Sequence, residues 1–427
     1  MSLHDRLKKL FSSSFVQDVA KLSVGTLAGR LITIAAMPLL TRLYSPDDFT
    51  LLAAYVAIVS TIAVAACFRF EIAIPLADND EDAKYLLILS FMALVAVTLV
   101  VLVLVWVLPQ QIKVWTKQTV LESYIWMIPI GIAALGFYSI TQFWVTRARR
   151  FAQIAQTRIT QALVGVSVSL SFGWLGCGPL GLLIGNILNT SAGGLRLAYW
   201  SVKHEAKQFN RLTLSGLRNT MRRYKRYPIY STPESFFNTA GIQLPILVVA
   251  AYAGAEAGFL LLAMQIMATP MGLLGGAISQ VYVSRAPQSL KDGQLDIFTR
   301  KIILRLFKVG VVPFLFIGIL SPWLVPNVFG SNWARTGEII CWMIPWMLLQ
   351  LVVSPVSMAL HVTSNQAKAM MLQAFGVVFR LAVVLLVASL IPMYIVEAYI
   401  VSGAFFYVIY LDVILRVVRK KSRCNQS

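Results

Sequence analysis

Polar and apolar positions in this chain segregate by whole segments rather than by helical turn. Stretches of about 20 mostly apolar residues, enough to cross a bilayer, recur along its length. Twelve spanning helices are predicted, at residues 20–43, 49–68, 85–108, 121–144, 153–174, 178–199, 229–252, 256–283, 305–325, 338–361, 368–391 and 394–416. The plainest stretch, Leu86 to Leu108, contains no charged residue. The pattern predicts an all-α integral membrane protein.

Charge orients these spans. The N-terminal arm, the even-numbered loops and the C-terminal tail hold 29 of the 37 Lys and Arg residues. The outer loops hold only Arg42, Lys113, Lys117 and Arg335. Cytoplasmic loops collect such residues, so both termini are expected in the cytoplasm. The net charge of +19 would suggest nucleic acid in a soluble protein. Here orientation accounts for it, and no nucleic-acid partner is expected.

Composition narrows the class. Of 427 residues, 58% are hydrophobic and 13% charged, against about 45–50% and about 25% in soluble domains. A soluble enzyme is excluded on that balance. Cys67, Cys177, Cys341 and Cys424 share no metal-ligand spacing, and His4, His204 and His361 are scattered, so no metal and no cofactor are expected. No short apolar run with a small-residue cleavage site precedes the first span, which is expected to remain in the mature chain. The outer loops are short, which argues against a glycan polymerase or transferase with an external catalytic loop.

The longest connection divides the chain into an N-terminal six-helix bundle (1–200), a basic linker (201–228), a C-terminal six-helix bundle (229–417) and a basic tail (418–427). In the linker Leu214, Leu217, Met221 and Tyr224 recur at helical spacing among Arg218, Arg222, Arg223 and Lys225. That pattern predicts a helix lying on the anionic inner leaflet. The halves are weakly alike: Pro38 and Tyr44 correspond to Pro245 and Tyr252, as in the internal repeats of secondary transporters.

Polar residues within spans must face a partner or a cavity, because hydrocarbon offers no hydrogen bond. Thr26, Arg30 and Thr33 share a face of the first span, and Asn186 and Asn189 a face of the sixth. Glu234 and Asn238 mark the seventh, Gln265 and Thr269 the eighth, and Gln373 and Arg380 the eleventh. Small polar residues also serve helix packing, but several such faces together predict a shared hydrophilic cavity. Arg30 lies about 15 Å into its span at 1.5 Å per residue, and Arg380 is similarly deep. A central Arg costs about 2.5–3.5 kcal/mol on insertion scales, and no carboxylate is predicted at that depth. A cationic cavity for an anionic substrate follows. Glu234 and Asp412 are the candidate proton-coupling groups. An ion-coupled exporter of cationic small molecules, the main alternative, would place acids at the midplane instead.

Two stretches carry a family resemblance. The turn LTRLYSPDDF (40–49) with the run RFEIAIPLADNDEDA (69–83) resembles the start of Wzx-type polysaccharide biosynthesis proteins, and QLPILVVAAYAGAEAGF (243–259) is similar to the start of their second half. These belong to the multidrug/oligosaccharidyl-lipid/polysaccharide exporter superfamily. The resemblance implies two six-helix bundles forming a V around a central cavity, and a flippase rather than an enzyme. It implies movement of undecaprenyl-diphosphate-linked oligosaccharide from the inner to the outer leaflet of the bacterial inner membrane, for O-antigen, capsule or exopolysaccharide. Membrane lipids, a polymerase and a chain-length regulator are the implied partners. Arg30 matches, by position on the first helix, the arginines with which related flippases hold the diphosphate. Arg380 is added by the stripe argument alone, since the guanidinium fork suits phosphate oxygens.

Overall fold

The computed structural model describes residues 14–108, 111, 120–205, 213–363 and 365–424. Helices dominate: α1 (Ser14–Leu43), α2 (Pro46–Ala66), α3 (Asp80–Val107), α4 (Met127–Arg147), α5 (Phe151–Trp174), α6 (Leu180–Ser191), α7 (Gly194–Glu205), α8 (Leu214–Arg223), α9 (Thr232–Ala253), α10 (Glu256–Lys291), α11 (Leu295–Phe329), α12 (Ala334–Val356), α13 (Gln366–Leu390) and α14 (Ile395–Cys424). Among the described residues nine helical segments are long and apolar enough to cross a membrane. This is a multi-pass membrane protein.

The sixth expected span is not one helix. It breaks between Ser191 and Gly194 into α6 and α7. A Cβ on Gly193 would lie 2.4 Å from Thr157 of α5, and one on Gly194 2.9 Å from Phe137 of α4. The glycine pair answers that crowding, at the expense of helix propensity.

Contacts group the described residues into two units. One takes those up to Leu43, between Ile62 and Pro109, and between Glu122 and Thr232; the other takes Tyr44–Thr61 and those from Pro233 onward. Two features differ from the boundaries read in the sequence. The first turns of α2 pack with the second unit, and the linker helix α8 packs within the first.

In the first unit glycines set the closest approach. Gly25 lies against Ala155 and Gly29 against the carbonyl of Arg158, so α1 and α5 meet backbone to backbone, the small-residue packing used between membrane helices. At one edge α8 closes over the loop before α3. Thr213 caps α8 by accepting from Gly216 N and meets Tyr85 Oη at 3.2 Å. Arg223 forms ion pairs with Asp78 (2.7 Å) and Asp82 (2.8 Å). Leu217 and Tyr224 pack on a cluster with Phe70, Ile74, Leu86 and Trp144. Half of the stripe expected to meet lipid is therefore turned to protein, whereas Leu214 and Met221 are exposed.

In the second unit the turn before α2 is a capping box. Asp48 Oδ2 accepts from Ser45 N at 2.9 Å, and Ser45 Oγ accepts from Asp48 N at 3.2 Å. Thr50 then donates to Gly254 O (2.9 Å) and accepts from Gly258 N (3.0 Å). A Cβ on Gly258 would sit 2.1 Å from the Pro46 carbonyl. Phe49 and Phe259 both meet Trp333 edge-on. The two sequence stretches that carry the resemblance thus touch each other.

Candidate functional site

Arg380 lies midway along α13, and it is 2% exposed. Its guanidinium carbon is 5.1 Å from the Trp346 ring of α12 and 4.9 Å from the Tyr399 ring of α14. Those rings are edge-to-face at 5.1 Å. Gly403 makes the arrangement possible, because a Cβ there would stand 2.8 Å from the Trp346 indole. Tyr399 fixes its own ring by donating to Ile242 O of α9 at 3.1 Å. A desolvated cation–π contact contributes about 2 kcal/mol. Two of them together match the roughly 2.5–3.5 kcal/mol that a central Arg costs. The charge is thereby held at depth by rings rather than by a carboxylate.

Nε and Nη2 of Arg380 have no hydrogen-bond partner. Arg380 also lines a small pocket with Asn238, Gly241, Gln373, Gly376, Phe406 and Tyr407, among others. Gly376 packs so tightly on Phe406 that a Cβ would be 2.5 Å away. The pocket is about 10 Å³, room for roughly one water. As closed here it excludes a diphosphate.

Three of the expected site residues, Asn238, Gln373 and Arg380, are therefore brought together. Glu234 lies one turn from Asn238 on α9 and pairs with His361 at 3.1 Å. Gln265 and Thr269 are half-buried on α10, with Gln265 Oε1 buried and unpaired. Asp412 is different: it pairs with Arg416 one turn on, at 2.9 Å, and both are exposed. That is a helix-surface pair at i,i+4 spacing.

The remaining expected residues belong to the first unit. Arg30 is exposed on α1, with Thr26 and Thr33 half-buried beside it. Thr33 returns its hydroxyl to Gly29 O at 3.1 Å. Asn186 and Asn189 are half-buried on α6. Asn189 packs on Gly165 of α5, which is a packing role. Sequence reading missed Arg158, which donates to Gln142 Oε1 at 2.8 Å and lies 5.0 Å from the Tyr138 ring. It also missed Trp346, Tyr399 and His361. Aromatic residues on separate apolar helices carry no signal of convergence, and the scatter of the histidines concealed His361.

Comparison with known proteins decides the family. A model described as "Polysaccharide biosynthesis protein" matches residues 39–338. The chain belongs to that family. The match includes both stretches that carried the resemblance. No curated protein matches the chain. Among solved structures, the fold is similar to "Lipid II flippase MurJ, inward closed conformation" (TM-score 0.71, 12% identity, 95% of this chain and 90% of that one). It is similar also to an inward-facing multidrug resistance MATE family transporter of the MOP superfamily (TM-score 0.67, 12% identity, 94% and 95%). A third likeness is to a MOP superfamily transporter from Pyrococcus furiosus (TM-score 0.62, 12% identity, 96% of each chain). At this identity the likeness is one of fold, that of MOP-superfamily membrane transporters.

Proposed function

We propose that this family member is a flippase that moves undecaprenyl-diphosphate-linked oligosaccharide from the inner to the outer leaflet of the bacterial inner membrane. Twelve spans in two six-helix bundles, both termini in the cytoplasm and a central cavity complete this reading. One observation carries it: Arg380 keeps a permanent charge at span depth, and among the described residues no carboxylate pairs with it. An uncompensated cation there favours an anion and opposes a cationic drug. Arg30, on the exposed side of α1, is the proposed first contact for the diphosphate. Arg380 is the proposed second contact, reached once α9, α13 and α14 part enough to enlarge its pocket. Thr26, Thr33, Asn186, Asn238, Gln265, Thr269 and Gln373 offer hydrogen bonds to a hydrated sugar headgroup. The lipid tail stays in the bilayer, and a polymerase and chain-length regulator act on the delivered units.

The test is a deletion strain whose lipid-linked oligosaccharide is assigned to a leaflet. Complete repeat units are expected to accumulate on the cytoplasmic side, with surface polymer lost. Complementation with Arg30→Ala should give normal membrane levels and no polymer. Delivery of complete units to the outer leaflet in the deletion strain would overturn the reading and point to a polymerase.

A further inference from the structure

Glu234 stands in the first turn of α9, and His361 in the short helix Ala359–Val362 that follows α12. Their side chains meet at 3.1 Å, with 21% and 33% of each exposed. The pair is therefore neither sealed nor free in solvent. One turn along α9 from Glu234, Asn238 lines the pocket of Arg380. Gln373 Nε2 donates to Tyr410 Oη at 3.5 Å. Gln373 also lines the pocket of Arg380. Tyr407 stacks on Tyr410 at 6.4 Å and lines the same pocket. A run of polar groups, Asn238 on α9 and Gln373 with Tyr410 beside it, thus leads from Glu234 and His361 to the unpartnered Nε and Nη2 of Arg380. Along α13 the run offers Gln373 and then the fixed charge of Arg380, and from α14 the titratable groups beside it are Tyr407 and Tyr410.

We propose that Glu234 and His361 jointly hold the exchangeable proton of the transport cycle, and that Asn238, one turn along α9, transmits its presence to the Arg380 pocket. The site deepens the flippase reading by naming what drives it, and its ligand is a proton. With the proton on His361 Nε2 the pair is imidazolium and carboxylate, and its net charge is zero. When that proton leaves to water, a neutral imidazole faces the Glu234 carboxylate and the net charge is −1. The ion pair tying α9 to the end of α12 is then reduced to a hydrogen bond that the other tautomer must donate. Histidine suits this role because its ordinary pKa lies where protons exchange near neutrality. Each change at the pair alters the tether on α9 and, through Asn238, the wall of the pocket.

The experiment reconstitutes the full chain in vesicles with undecaprenyl diphosphate carrying a fluorescent disaccharide. The leaflet ratio of the probe is read with and without a pH gradient. One proton per lipid displaces that ratio by up to about tenfold for each pH unit. Wild type should show the displacement, Glu234→Gln and His361→Asn should show none, and the exchanged pair Glu234→His with His361→Glu should recover part. A full displacement in either single variant overturns the proposal. A second readout needs no lipid movement. With native cysteines replaced by serine, Asn238→Cys should react with a thiol reagent at different rates at about pH 6 and about pH 8, relative to an exposed control thiol. Adding Glu234→Gln should abolish that difference, and its survival overturns the proposal. If wild type moves no probe under any condition, the flippase reading falls, and thiol reactivity alone decides the pair.

Discussion

Two sets of arginines in this protein are held in opposite ways. At the edge of the first unit, Arg147 donates to the carbonyls of Ile74 and Ala77 and pairs with Asp80, while Arg223 bridges Asp78 and Asp82. Every charge there meets an opposite charge or a carbonyl, and the contacts tie loop to helix. In the second unit Arg380 sits on two aromatic rings and keeps Nε and Nη2 unpartnered. Ring faces stabilise a cation without neutralising it. The edge arginines fix architecture, whereas Arg380 is left able to attract an anion.

The largest effect should come from Arg380. Arg380→Leu removes a buried charge without stranding a counter-charge, so the protein should keep its membrane level and thermal stability while transport falls more than tenfold. Arg380→Lys keeps the charge but loses the planar fork; partial transport would assign the role to charge, and full loss to bidentate geometry. Collapse of the Leu variant's membrane level would instead make Arg380 an architectural residue like its counterparts at the edge.

Arg223→Ala should do less. Its partners are partly solvated, and exposed ion pairs contribute about 0.2–1 kcal/mol each. Loss of up to about 2 kcal/mol, seen as a modestly lower melting temperature with transport retained, is the expected outcome. Loss of transport at unchanged stability would break the distinction between edge and depth.

The smallest effect is one of pH. Glu71 is buried in the short helix Phe70–Ala73, beside Arg69 at 3.8 Å. Burial pushes its carboxyl above the usual carboxylate range, and Arg69 pulls it partly back. The folded state therefore holds the proton more tightly than the unfolded chain. Its contribution to stability is full below the ordinary carboxylate pKa and is lost as pH rises through the elevated one. Glu71→Gln should raise the melting temperature at neutral pH relative to wild type, and the gain should shrink under acid conditions. A gain independent of pH would show that the folded and unfolded chains hold the Glu71 proton equally tightly.

The sequence was legible where period and charge decide structure. Nine of the spans, the linker helix and the family were readable, yet the residues that carried the family resemblance turn out to be architectural. Ser45 and Asp48 cap α2, Gly258 admits the Pro46 carbonyl, and Asp78, Asp80 and Asp82 hold Arg147 and Arg223. The depth of Arg380 was readable, but its surroundings were not. Trp346 and Tyr399 lie on other helices, and only tertiary packing brings them to it. The same holds for Glu234 and His361, separated by more than a hundred positions in the chain. The break before Gly194 left a local sign, two adjacent glycines, which a count of apolar residues overlooks.

The ring cage also bears on how the chain is made. Synthesis delivers α12 with Trp346 before α13, but α14 with Tyr399 only after it. Until α14 emerges, Arg380 has one ring where the finished protein has two. By about 2 kcal/mol, α13 is then a poorer membrane resident than it becomes. Its final placement in the bilayer is therefore completed by a segment that follows it in the chain, and a nascent chain ending before Tyr399 carries a half-built shelter for this buried charge.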